Sequence, residues 1–278
     1  MPGILLRIPY IQNKVSEVAT TQLSGHLGVP VKIGNVDIEW FNRLVLEGLY
    51  LEDQDGKVMF EANHVAAGFE IMPLLEGKFV FTTVRLFGFS FNLRKHTPES
   101  PLNLQFVIDA FASKDSIKKE KNIDLRFNSI MIRRGNFSYN VDSEKETPGK
   151  FNAKHIDIKN LSAKISLKAF NKDSVNAHIK KMSFDEASGF SLNKLSLNVV
   201  GNRDSAFVQD FEVRLPQTNL KIGRARIDLS EIDSLPALLN NAPIDLNITP
   251  SQICLKDLSS FVPAFSNFSE TIELSAEA

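Results

Sequence analysis

A two-residue alternation broken by a single extra residue constrains this chain more than any other feature. In His155–Leu167, HIDIKNLSAKISL, apolar residues stand at Ile156 and Ile158, skip one place, and resume at Leu161, Ala163, Ile165 and Leu167. A period of two is that of a strand with one buried face. One extra residue turns every later side chain to the other face unless a bulge or a tight corner absorbs it. The pattern, apolar-x-apolar-x-x-apolar-x-apolar, returns as VKIGNVDI from Val31, VRLFGFSF from Val84, IDLRFNSIMI from Ile123, FSLNKLSL from Phe190 and LKIGRARI from Leu220. Starts at 123, 156, 190 and 220 lie 33, 34 and 30 residues apart. Repetition at that spacing predicts an array of like sheet segments, each bent where its alternation breaks.

The rest of the chain divides around these strands. Between Pro9 and Gly28, the residues Ile11, Val15, Val18, Ala19, Leu23 and Leu27 form one helical stripe. Proline suits a first helical turn, and Gly28 with Pro30 stops the helix. One apolar stripe predicts packing on the first strands, as a cap over the end of a sheet. Residues 1–29 are therefore read as an N-terminal helix, and 30–95 as a first unit of consecutive antiparallel strands, VKIGNVDIEW among them. Its turns are Phe41-Asn42, Asp53-Gln54-Asp55-Gly56 and Glu76-Gly77. The Asp-x-Asp-Gly turn lacks the later acidic positions of a calcium loop, since Val58, Phe60 and Ala62 stand there. Residues 96–121 read as a short helix begun by Ser100-Pro101, with Leu104, Val107, Ile108 and Phe111 on one side, and then a charged linker, KDSIKKEK. Residues 122–278 read as a repeat region of strands, with turns at 142–150, 171–173, 186–189 and 201–204. A brief helical interruption falls at 230–241, and a helical turn begins at Asp257.

Composition removes several function classes. Apolar content of 43% with 23% charged residues is that of a folded protein, and a net charge of −1 gives no global attraction to nucleic acid. The aromatic set is 21 Phe against 3 Tyr and 1 Trp, large apolar area with few polar atoms to satisfy. The single cysteine, Cys254, excludes an internal disulfide and a multi-cysteine zinc site. Histidines 26, 64, 96, 155 and 178 share no metal-ligand spacing. There is no Gly-rich phosphate loop, nucleophile elbow or His-Glu-x-x-His motif. The expectation is a protein that is not an enzyme and carries no cofactor or metal. No run reaches the ~20 apolar residues of a membrane span.

Several ordered motifs carry a family resemblance. They run from Leu-Arg-Ile-Pro-Tyr-Ile-Gln and a helix ending His-Leu-Gly to Val-Lys-Ile-Gly-Asn-Val-Asp-Ile and Leu-Val-Leu-Glu-Gly-Leu-Tyr-Leu-Glu-Asp. Pro-Leu-Asn-Leu-Gln-Phe-Val-Ile-Asp-Ala-Phe at 101–111 and Ser-Gln-Ile-Cys-Leu-Lys-Asp-Leu-Ser-Ser-Phe-Val-Pro at 251–263 complete the series. In that order they resemble the N-terminal portion of the AsmA-like/TamB family of translocation and assembly module subunits. The resemblance implies a periplasmic chain held in the inner membrane by a helix preceding the Arg-Ile-Pro-Tyr segment, with a further C-terminal part beyond this sequence. It implies phospholipid as cargo and an outer-membrane barrel protein of the Omp85 type as partner, with no nucleic acid.

By residues alone, the apolar positions line either an open trough or the inner face of a closed two-sheet sandwich. The resemblance favours the trough. The expected fold is thus mainly β, an elongated curved antiparallel sheet with an N-terminal amphipathic helix and a few short helices. Candidates for the lipid-bearing strip are Val84, Leu86, Phe89, Phe91, Ile123, Leu125, Phe127, Ile156, Ile158, Ile165, Leu192, Leu195, Leu197, Leu220 and Ile222. Two functions follow: carriage of acyl chains along an apolar β-groove between inner and outer membranes, or a scaffold that assembles outer-membrane proteins.

Overall fold

A computed structural model of the chain describes residues 17, 20–39, 42–72, 79–111, 123–170, 174–202, 204–228 and 244–277. Its strands are β1 (Val31–Lys32), β2 (Asn35–Glu39), β3 (Arg43–Glu52), β4 (Val58–Phe69), β5 (Phe79–Lys95), β6 (Ile123–Val141) and β7 (His155–Phe170). They continue as β8 (Ser174–Glu186), β9 (Ser191–Asn202), β10 (Ser205–Arg214), β11 (Asn219–Asp228), β12 (Ile244–Cys254) and β13 (Thr271–Glu277). The fold is mainly β. The strands hydrogen-bond in chain order from β1 to β13, with β2 lying beside β3, in an open sheet that does not close on itself. Short helices accompany them, among them α1 over residues 20–27 and α2 (Gln105–Phe111), with 3-10 turns at Leu255–Leu258 and Pro263–Asn267. Among the described residues no helix is long and apolar enough to cross a membrane. The chain forms two compact units, residues 1–146 with 152–161, and residues 147–151 with 162–278. The division falls within β7.

In the first unit, α1 ends at Gly28, whose φ of 71° is the left-handed cap that glycine adopts without strain. Its N–H donates to Ser24 O at 2.8 Å, and Ser24 Oγ accepts the Val31 N–H at 3.0 Å, tying helix end to first strand. The earlier part of the expected helix, with Ile11, Val15, Val18 and Ala19, lies outside the described residues, as do Phe41 and the Glu76-Gly77 turn. The single strand expected over 31–40 is divided. Both β1 and β2 keep one register along β3, Val31 opposite Leu51 and Asn35 opposite Glu47, but the chain breaks at Ile33-Gly34. A Cβ on Gly34 would lie 3.0 Å from Glu47 O, so the close approach there requires glycine.

One pairing overturns the antiparallel expectation. β5 and β6 are parallel, Phe79 opposite Ile123 and Lys95 opposite Val141. Parallel neighbours need a crossover of a dozen or more residues, and 96–122, with α2 inside, supplies it. That helix begins at Gln105 rather than at Ser100-Pro101. Ser100 Oγ is engaged with Thr97, closing a separate turn, and the Asn103 amide is spent on Asp53 and Asn92.

In the second unit the pairings from β8 to β13 are antiparallel. Hairpin turns stand at 186–189, as expected, and at Leu215–Thr218, where Leu215 N–H donates to Thr218 O at 2.9 Å. The expected turn at 171–173 and the helical interruption at 230–241 lie outside the described residues. The helical turn expected to start at Asp257 begins instead at Leu255, after Cys254 in extended conformation. The 33-residue repeat proves uneven: 123 to 156 is one strand step, whereas 156 to 190 and 190 to 220 each span a hairpin, with β8 and β10 between.

Candidate functional site

The broken alternation coincides with left-handed backbone. Asn160, at the break in HIDIKNLSAKISL, has φ 57°, and the equivalent breaks hold Gly48 (62°), Gly88 (60°), Arg134 (52°) and Asp210 (53°). In the first unit these residues align across strands. Glu47 pairs with His64 and Leu49 with Ala62, which leaves Gly48 opposite Asn63 between two regular pairs. By the same reasoning Asn63 faces Gly88, and Gly88 faces Arg134. Four neighbouring strands therefore insert their extra residue at one level, and no register shift occurs there.

Because every strand flips together, one face stays apolar on both sides of the break. Before it run Leu44–Ala67–Val84–Ile130 and Leu46–Val65–Leu86–Ile132; after it run Leu49–Ala62–Phe89–Gly135 and Leu51–Phe60–Phe91–Phe137. Leu44, Leu46, Leu49 and Leu51 all pack on the same buried cluster of Val31, Ile33 and Val36, which places both halves of β3 on one side. Leu23 and Leu27 of α1 cover that cluster, so the helix caps the first strands as its stripe predicts. Beyond the cap an aromatic ladder crosses β4, β5 and β6. Phe60 meets Phe91 edge-on at 5.7 Å, Phe91 meets Phe137 at 6.2 Å, and Phe60 stacks on Phe89 at 6.1 Å. Gly135 leaves room for the Phe89 ring, which a Cβ there would meet at 2.3 Å.

The second unit repeats the arrangement by another route. Rows Ala177–Val199–Val208–Ala225 and Met182–Leu195–Val213–Leu220 stand on either side of breaks at Lys180-Lys181, Asp210 and Gly223. Here the bulges shift the register, between Ile179 and Met182 against β9 and between Gln209 and Glu212 in β10. The partner face is polar, with His178, Asn198, Gln209, Arg224 and Asn247 in one row. At the β8–β9 end, Phe184, Phe190, Phe261 and Phe151 form an aromatic chain with centroids 6.1, 5.0 and 4.8 Å apart.

Of the predicted strip, Val84, Leu86, Phe89 and Phe91 stand together on this face of β5. Ile156 and Ile158 lie on the first-unit part of β7, and Ile165 on its second-unit part. Leu192, Leu195 and Leu197 lie on β9, and Leu220 and Ile222 on β11. Phe89 and Leu192 are buried and the others are half-buried. Ile123, Leu125 and Phe127 belong to β6, but their side chains lie outside the described residues. Sequence reasoning missed Phe60, Ile130, Ile132, Phe137 and the contributions of β8 and β10. The signal was present: VNAHIKKMSF and AFVQDFEV carry the same skipped place, centred on charged residues that mask it.

A sandwich core would enclose many large side chains. Among the described residues the large ones buried below 2% exposure are Met59, Val141 and Cys254. Aromatic residues on the opposite face are instead sheathed by cations, Arg134 over Phe87 at 5.1 Å and Arg226 over Phe207 at 5.5 Å.

One polar lock closes the first unit's strand ends. Asp53, 2% exposed, accepts the turn N–H groups of Lys57 (2.9 Å) and Asp55 (3.0 Å), the Asn103 amide (3.0 Å) and the Arg94 guanidinium (3.0 Å). Burial pushes its carboxyl up, but these donors and the Arg94 charge outweigh burial and hold it below the ordinary carboxylate value. Arg94 also reaches Asp55 at 2.6 Å and Asp142 at 3.6 Å. The hairpin reading of this Asp-x-Asp-Gly turn stands, and among the described residues no group of three or more His, Cys, Asp or Glu is placed to hold a metal.

No family model and no curated protein matches this chain.

Proposed function

We propose that this chain is a non-enzymatic lipid carrier whose apolar sheet faces take the acyl chains of phospholipid while the head groups stay in water. In this reading it forms part of a periplasmic bridge between inner and outer membranes. The observation that carries the proposal is the persistence of one apolar face across the bulges within each unit. Leaving a Leu, Ile or Phe in contact with water forgoes roughly 1.5–3 kcal/mol relative to burial. A run of such residues, half-buried rather than enclosed, is stabilised by acyl chains that cover it. The order of motifs shared with the AsmA-like/TamB family supports the same assignment.

Native mass spectrometry of gently purified protein tests it. Bound phospholipid is expected, and Leu197→Asp or Leu86→Glu should remove it while the strand signal in circular dichroism persists. Protein repeatedly free of lipid contradicts the proposal. Cross-links to a client β-protein along an edge strand, in place of lipid cross-links on the apolar face, would favour the assembly-scaffold reading.

A further inference from the structure

The second unit carries a basic cleft on the face opposite its apolar rows. Lys194 and Arg214 are register partners there, one residue beyond the apolar pair Leu195–Val213. The cleft is about 500 Å³, and Lys181 of β8 joins them in lining it; no carboxylate does. Glu212, beneath it, accepts both Lys194 Nζ and Arg214 Nε. One carboxylate thus steers two cations; with Lys181, three positive charges stand against Glu212 and Asp257, and the balance is one positive charge. Its far wall is the β10–β11 turn, which is fixed from behind. Buried Thr218 Oγ1 accepts the Cys254 N–H at 3.0 Å, and Gln217 N–H donates to Asp257 Oδ2 at 2.9 Å. Asn219 also lines the cleft, and its buried Oδ1 has no hydrogen-bond partner.

We infer that this cleft binds a phosphate group. A planar guanidinium and two ammonium groups on three adjacent strands, two of them held by Glu212, match tetrahedral anionic oxygens. The site is independent of the acyl-chain reading, because it lies on the other face of the strands.

Two titrations of the full chain at low salt test the inference and separate the sources of phosphate. In the first, inorganic phosphate is added to ¹⁵N-labelled protein. Saturable shifts are expected at the Thr218 and Asn219 amides, at least about tenfold weaker in affinity for Lys181→Ala/Arg214→Ala. In the second, vesicles of phosphatidylglycerol or of phosphatidylcholine are floated with the protein. Retention on the anionic vesicles that the double variant loses assigns the phosphate to a lipid surface; saturation by inorganic phosphate alone assigns it to a soluble ligand. Amide dispersion in the variant spectrum verifies its fold. The inference is overturned if neither arm binds, or if binding is the same in the variant.

Discussion

The two units solve one problem differently. Each must keep an apolar face through strands whose alternation slips by one residue. The first aligns its extra residues in a single row, Gly48–Asn63–Gly88–Arg134, so neighbouring strands flip in step and stay in register. The second staggers only some of them: Asp210 and Gly223 face each other in β10 and β11, while register shifts absorb the slip against β9 and β12. An aligned row places left-handed backbone at Gly48, Gly88 and Arg134 on one level; a staggered set spreads the demand. The first unit should therefore be the less tolerant of substitution at its breaks.

The largest contrast is expected at the polar locks. Arg94→Leu leaves the buried Asp53 carboxylate without its cation and should cost about 3 kcal/mol. Glu212→Gln in the second unit, where Arg214 is about half exposed, should cost about 1 kcal/mol or less. Urea denaturation with hydrogen exchange followed strand by strand reads both; equal losses would break the comparison.

Next come the break residues themselves. Gly88→Ala places a Cβ at φ 60° and 2.6 Å from Asn63 Nδ2, and should cost about 2 kcal/mol. At Gly223 the nearest atoms are 3.3 and 3.4 Å away and φ is not in the left-handed region, so Gly223→Ala should cost under about 1 kcal/mol.

A pH effect follows from Asp53. Its folded-state pKa is lowered, so its contribution is complete above the unfolded carboxylate value of about 3.9 and is lost as pH falls through the folded value. Acid unfolding of the first unit should begin in that window, and Asp53→Asn should remove that component of the pH dependence. The smallest expected effect is at Asn160, where glycine relieves a φ of 57° and should change stability by only a few tenths of a kcal/mol.

Much of this was legible in the sequence because side-chain period reports strand geometry directly. The skipped place at Lys159-Asn160 marked a residue with left-handed backbone, and the stripe through Leu23 and Leu27 named the cap. Partnership was less legible. Nothing local in FVFTTVRLFGFSF says that its neighbour will be parallel; only the length of 96–122 and the helix within it carry that information. The lock was hidden for a related reason, since Asp53, Arg94, Asn103 and Asp142 meet only when the crossover folds back. The apolar face was half legible, because alternate strands place charges such as Lys180, Lys181 and Asp210 at the break and hide the pattern there.

The central claim is that the bulges keep one lipid-facing surface in each unit. Photo-cross-linking residues placed in pairs, at Leu86 against Arg85 and at Leu197 against Asn198, address it most directly. Phospholipid adducts at Leu86 and Leu197, with none at Arg85 and Asn198, are the predicted result. Adducts distributed equally between the members of each pair, or absent from all four, would contradict it.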